Sequence, residues 1–239
     1  MSRPDFDIVP FTFRETDNEQ EFLGEAPAPY APKPKLPVRT LPTVNYCPPS
    51  TWGDVFSHWR TAVDAVALAN DRLRLLKIVT RVIAWRSGPE QVWFGNYTSE
   101  HFEQLTRNMQ QIAEILSDPK LTITCDPNMK AYGKSFPGIR QIKLGAAWLN
   151  ERRPHERTQT LVHEAAHIAG VVNLPEGRKG QPACAKKLAQ QNCFKAMRNA
   201  DNYGYYALNY IGEYQNASPA NCVDDKNKPI NFSPLKTCR

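Results

Sequence analysis

Leu161-Val162-His163-Glu164-Ala165-Ala166-His167-Ile168-Ala169-Gly170 is the stretch around which this 239-residue chain is read. Residues four apart lie one above the other on a helix, so His163 and His167 can present two imidazoles to one ion. Neutral imidazole nitrogen is a good zinc donor. Glu164 adjoins the first ligand, and its carboxylate can take a proton from metal-bound water and pass it to a leaving amine. Zinc in that place acidifies the water and polarises a scissile carbonyl. Leu161, Val162, Ala165, Ile168 and Ala169 are apolar and would bury the helix that carries these groups. With five histidines in the chain, an H-E-x-x-H string arises by chance in roughly one such chain in 200, and chance does not demand an apolar helix around it. The stretch therefore reads as a site for one zinc ion, with His163 and His167 as ligands and Glu164 as general base. His58, His101 and His155 stand alone and read as surface or packing residues.

Outward from this helix the pattern alternates between two periods. Trp52, Val55, Phe56, Trp59, Val63, Val66, Leu73 and Leu76 recur at three- and four-residue steps, which gives one long helix or two joined ones up to about Trp85. Thr98 or Ser99 can cap another, with Phe102, Leu105, Met109, Ile112 and Leu116 as its apolar stripe. The period drops to two at 121–124 and again at 139–144, with Pro137-Gly138 as the turn into the second strand. Helical spacing returns at about 156–170, 181–199 and 200–212. The expected class is α+β: a helical N-terminal half, a small and mostly antiparallel sheet, the active-site helix and C-terminal helices. Residues 1–46 are proline-rich toward their end and read as an extended arm. Residues 47–239 read as the domain, with about 214–239 as a C-terminal extension.

Composition narrows the class further. The chain is 41% apolar and 23% charged, ordinary for a soluble globular protein. No run of about 18 apolar residues occurs, so no membrane span is expected. The net charge of +6 is scattered, with no Lys/Arg cluster interleaved with aromatics, so no nucleic-acid partner is expected. Six cysteines at wide spacing, without a C-x-x-C pair, suit disulfides in an oxidising compartment. Met1-Ser2-Arg3-Pro4-Asp5 opens no apolar signal segment. Secretion is thus expected by a route without an ordinary leader or after its removal, with a cytoplasmic location as the alternative.

A catalytic zinc needs a third protein ligand and an open position. After His167 the candidates are Asn173, whose neutral amide is a poor donor, and the carboxylates Glu176 and Asp201.

The ordered set Trp93-Phe94-Gly95-Asn96-Tyr97-Thr98, Leu144-Gly145-Ala146-Ala147-Trp148, Leu161 to His167, Gly180-Gln181-Pro182-Ala183-Cys184 and Asn199-Ala200-Asp201-Asn202-Tyr203-Gly204-Tyr205-Tyr206 resembles the deuterolysin and peptidyl-lysine metalloendopeptidase family. These are zincin-like peptidases whose third zinc ligand is aspartate. The resemblance implies that the ligand falls on Glu176 and the family's oxyanion tyrosine on Lys179; the Gly-Thr that normally precedes the ligand is absent. It implies that Asp201, with Tyr203 beside it, binds substrate: Asp201 matches one acid of a lysine pocket, and the second acid corresponds to Gly204. A helix N-cap is the plainer role for Asp201. The strand at 139–144 would be the sheet edge that pairs with substrate. The resemblance also implies a Cys47–Cys125 bond. Separately, Cys222 with Cys238 can close the C-terminal extension.

The expected function is zinc-dependent endopeptidase action on protein or peptide chains, with residual preference for lysine after the cut, in a secreted bacterial effector. The alternatives are a degenerate peptidase fold used for binding, motivated by the absent Gly-Thr and by Lys179 in the tyrosine's place, and a zinc hydrolase of a non-protein amide.

Overall fold

The computed structural model describes residues 41–76, 80–172, 181–224 and 227–232. The chain divides into Met1–Pro37 and Val38–Arg239, and every described residue lies in the second unit. Glu176, Lys179, Asn173 and Cys238 lie outside the described residues.

Helix α1, Trp52–Leu75, buries Val55, Trp59, Ala62, Val63, Val66, Ala69 and Leu73 along the stripe its spacing specifies. The Trp59 indole N–H donates to Leu116 O at 2.9 Å. This ties α1 to the end of α4, Ser99–Leu116. Two short helices lie between them: α2, Arg81–Ser87, and α3, Pro89–Phe94. Pro89 opens α3, where its missing N–H costs nothing. Thr98 caps α4 by accepting from the His101 N–H at 3.0 Å.

The strands are β1 (Thr43–Asn45), β2 (Thr122–Asp126), β3 (Gly133–Ser135) and β4 (Gln141–Gly145), in the order β1-β2-β4-β3. β1 pairs with β2 and β2 with β4 in parallel; only β3 and β4 are antiparallel. The α+β class stands, but the sheet is mixed and not mostly antiparallel. The alternation of Ile123, Ile142 and Leu144 specifies which face is buried and says nothing about strand direction. A second correction concerns β4. It is internal, flanked by β2 and β3, and the edge on that side is β3. β1 falls within the stretch assigned to the arm, so the last residues of that stretch belong to the sheet.

Helix α5, Ala146–Leu149, leads into α6, Pro154–Ile168, which carries the histidines. Helices α7 (Pro182–Gln191), α8 (Cys193–Ala196) and α9 (Ala200–Asn209) follow. Helix α6 packs against α9, α1, α4 and β3, so from Thr158 to Ile168 every residue but His163 and His167 is buried. Among the described residues no helix is long and apolar enough to cross a membrane.

Cys47 is bonded to Cys125, as the resemblance implied. Cys184 is bonded to Cys222, which corrects the pairing of Cys222 with Cys238. The cause is a second small core, in which Ala183, Leu188 and Phe232 gather α7 and the C-terminal segment and bring the two Cα atoms to 4.6 Å. Cys193 is also disulfide-bonded.

Candidate metal centre

Helix α6 delivers both imidazoles to one point. His163 Nε2 and His167 Nε2 lie 3.0 Å apart, with ring planes at 87°. The other nitrogen of each ring is engaged. His163 Nδ1 is 2.7 Å from Asp201 Oδ1, and His167 Nδ1 is 2.6 Å from Val171 O. A carbonyl and a carboxylate oxygen only accept, so both Nδ1 atoms carry the protons. With both rings neutral, two Nε2 lone pairs then face each other, an arrangement that a shared metal cation would satisfy. Zinc bonds of 2.0–2.1 Å in tetrahedral geometry would set these nitrogens about 3.3 Å apart, so the pair fits after opening by a few tenths of an ångström. Burial, and next the neighbouring His163, hold the His167 imidazole below the ordinary histidine value. That keeps its nitrogen available as a donor.

The contact from Val171 depends on Gly170. Its φ of +89° ends α6 in a left-handed turn, with Val171 N–H donating to Ala166 O at 2.9 Å. The chain folds back over the last turn and aims Val171 O at the His167 ring.

Glu164 is 4% exposed and lies under the edge strand. Ser135 Oγ is 2.6 Å from Glu164 Oε2 and 2.8 Å from Glu164 O; its single proton serves one of them at a time. Gly133 passes so close that a Cβ there would stand 2.7 Å from Glu164 Cγ and Oε1. The carboxylate is thus clamped between α6 and β3.

The structure brings Asp201 to the site, but behind His163. It meets Nδ1 from the side opposite the Nε2 pair, is 7% exposed and also accepts from Gln159 Nε2 at 3.3 Å. That position does not face the point where the Nε2 atoms converge. Tyr203 is wholly buried: its hydroxyl donates to Met197 O at 2.9 Å and accepts from Asn108 Nδ2 at 2.8 Å. The assignment of Tyr203 to substrate contact is corrected accordingly; it packs on Phe94, with ring centroids 5.0 Å apart. Among the described residues no group of three or more His, Cys, Asp or Glu side chains is arranged to hold a metal ion. The third-ligand candidate Glu176 and the oxyanion candidate Lys179 lie outside them.

Sequence reasoning missed Gly133, Ser135, Gln159 and Val171. Only Gly170, just past the last apolar residue of the helix, signals the fold-back that presents Val171. The others reach the site through tertiary contact. Two of the stretches that carried the family resemblance meet in the core behind it: Trp93 stacks on Tyr205, Phe94 meets Tyr206 edge-on, and Asn202 Nδ2 donates to Trp93 O and Ala185 O. These contacts fix α9 on α3 and α7, and its packing on α6 brings Asp201 to His163.

Comparison with known proteins bears on the same region. Residues 90–208 match the family model described as lysine-specific metallo-endopeptidase, the aspzincins. A peptidyl-Lys metalloendopeptidase of Armillaria mellea is 34% identical over 122 residues, 49% of this chain and 34% of that protein. An extracellular protease of Aeromonas hydrophila is 28% identical over 124 residues, 51% of this chain and 36% of that protein. The chain thus spans about a third of the length of the curated relatives it matches. Among solved structures, a zinc peptidase from Grifola frondosa shares the fold with a TM-score of 0.56 at 21% identity, over 68% of this chain and 97% of that one.

Proposed function

Because this chain belongs to the lysine-specific metallo-endopeptidase family, the aspzincins, we propose that it is a zinc-dependent endopeptidase of protein or peptide chains. The observation that supports this most is the pair of Nε2 atoms 3.0 Å apart, with both Nδ1 atoms already committed to acceptors. His163 and His167 would hold one zinc ion. When bound, the metal would supply an acidified water and polarise the scissile carbonyl.

The chain's own residues do the rest. Glu164, next to the first ligand and held by Ser135, takes a proton from the attacking water and hands it to the departing amine nitrogen. Strand β3 is the sheet edge, and Gly133 and Ser135 on it both touch Glu164. A substrate backbone paired along that edge would run past the carboxylate. Lysine preference through Asp201, the finer reading, has little support in this geometry, since that carboxylate is buried against His163. Secretion fits the disulfides and the extracellular protease among the relatives; an effector acting on foreign proteins is its narrower form.

Metal analysis and one variant test the proposal. The purified protein should hold about one zinc per chain and cleave casein, and Glu164→Gln should keep the metal and lose about 10²–10⁴-fold in rate. A Glu164→Gln protein cleaving at the wild-type rate would refute the mechanism. Zinc-loaded wild type that cuts no peptide would favour a binding module.

A further inference from the structure

A subsite that selects lysine by charge needs a carboxylate with open space beside it for the ammonium. Among the described residues, the two acids at this site, Glu164 and Asp201, offer none. Glu164 is 4% exposed and held by Ser135, and Asp201 is 7% exposed with Oδ1 shared between His163 Nδ1 at 2.7 Å and Gln159 Nε2 at 3.3 Å. Gln159 stands on α6 one turn before His163 and is itself only 4% exposed. Its amide fills the room beside Gly204, where a Cβ would come 2.9 Å from Nε2, 3.1 Å from Cγ and 3.2 Å from Cδ. Any side chain at 204, an acid included, would have to displace it. Asn202, Tyr203, Tyr205 and Tyr206, which surround Asp201 on α9, are wholly buried and leave no opening on that helix.

We infer that Gln159 and Asp201 form a positioning relay for His163, and that this enzyme does not select lysine through α9. The inference rests on the metallopeptidase reading and deepens it. Asp201 accepts the Nδ1 proton, which fixes the tautomer with Nε2 free, holds the ring plane and raises its basicity toward a metal. The Gln159 amide gives the same carboxylate oxygen a second donor and keeps it from rotating away. Gly204 makes the room that lets Gln159 reach. The side chain after the cut then meets no reachable carboxylate on α9, and substrates need not carry lysine there.

The test uses the full-length protein. Zinc affinity is measured by competition with a chromophoric chelator, apo melting temperature by circular dichroism, and the residue after each cut by mass spectrometry of a peptide-library digest. Asp201→Ala should weaken zinc about 10–100-fold and alter the visible band of the cobalt-substituted protein. Asp201→Asn, whose amide oxygen still accepts from Nδ1, should recover part of that loss with an unchanged apo melting temperature. Gln159→Ala should weaken zinc by less than about ten-fold. Lysine after the cut should be enriched less than about two-fold in the wild type. Wild-type zinc affinity in Asp201→Ala overturns the relay; should that variant fail to fold, wild-type affinity in Asp201→Leu, which is of similar size and has no acceptor for Nδ1, does so. A digest dominated by cuts before lysine, with the dominance lost in Asp201→Asn, overturns the specificity claim. A wild type that binds no zinc overturns the metallopeptidase reading and the relay with it. One that binds zinc but cleaves nothing overturns the peptidase alone, because the affinity measurement needs no turnover.

Discussion

Gly133→Ala acts on the general base without touching a metal ligand. Residue 133 is not in the left-handed region, so the backbone accepts alanine, and the whole effect comes from the new methyl. That methyl would stand 2.7 Å from Glu164 Cγ and Oε1 and 2.9 Å from Cδ. An ordinary carbon contact is about 3.5 Å, so the pair is short by roughly 0.8 Å. Two packed elements must share that displacement, because Glu164 is locked on α6 by its neighbours and β3 is tied to β4. Overpacking of this kind costs about 1–3 kcal/mol, which for a domain of this size lowers the melting temperature by roughly 2–10 °C. The larger effect is on rate. A catalytic group misplaced by about 1 Å loses on the order of 10²-fold. The assay is kcat/KM on an internally quenched peptide, with zinc content measured on the same sample. A zinc-loaded Gly133→Ala protein working within two-fold of wild type would show that β3 does not position Glu164.

Three further outcomes follow from the contacts described. Ser135→Ala removes one hydrogen bond to the Glu164 carboxylate and should lower kcat by about ten-fold or more with zinc retained, a charged-group hydrogen bond being worth about 1.5 kcal/mol at the low end; an unchanged kcat would count against the clamp. Replacing Cys184 and Cys222 by alanine opens a crosslink spanning 38 residues and should cost about 4 kcal/mol, against about 4.5 kcal/mol for Cys47 and Cys125 spanning 78, in guanidinium unfolding. Glu156 is buried, and burial raises its carboxyl above the usual range even with Arg153 nearby. A raised folded value means that the charged form is disfavoured in the fold: the penalty is absent below the unfolded value of 4.5 and fully present once pH exceeds the folded one. Glu156→Gln should therefore raise the melting temperature at pH 7 and leave it unchanged at pH 4. Destabilisation at pH 7 would mean that the Arg153 ion pair outweighs the burial.

How far the chain could be read locally is clearest around α6. The i, i+4 pairing of His163 and His167, the acid between them and the glycine that ends the helix are all set by a 3.6-residue period, which needs no knowledge of the rest of the fold. The same holds for the stripes of α1 and α4. Strand direction escaped because alternation encodes burial alone, and β3 escaped because Gly133-Lys134-Ser135 is too short and too polar to show a period. The Cys184–Cys222 pairing escaped because connectivity follows from which elements pack, and those elements form a core of their own.

Local spacing thus settled the metal-binding pair, its base and the helix that bears them. What each of those groups leans on came from the assembled fold: Asp201 arrives from α9, 38 positions beyond His163, and Ser135 from a strand 29 positions before Glu164. A carboxylate looks the same in sequence whether it binds an ammonium, a metal or an imidazole proton. Only the packing of α9 against α6, with Trp93, Phe94 and Asn202 fixing α9 to α3, turned this one toward the ring.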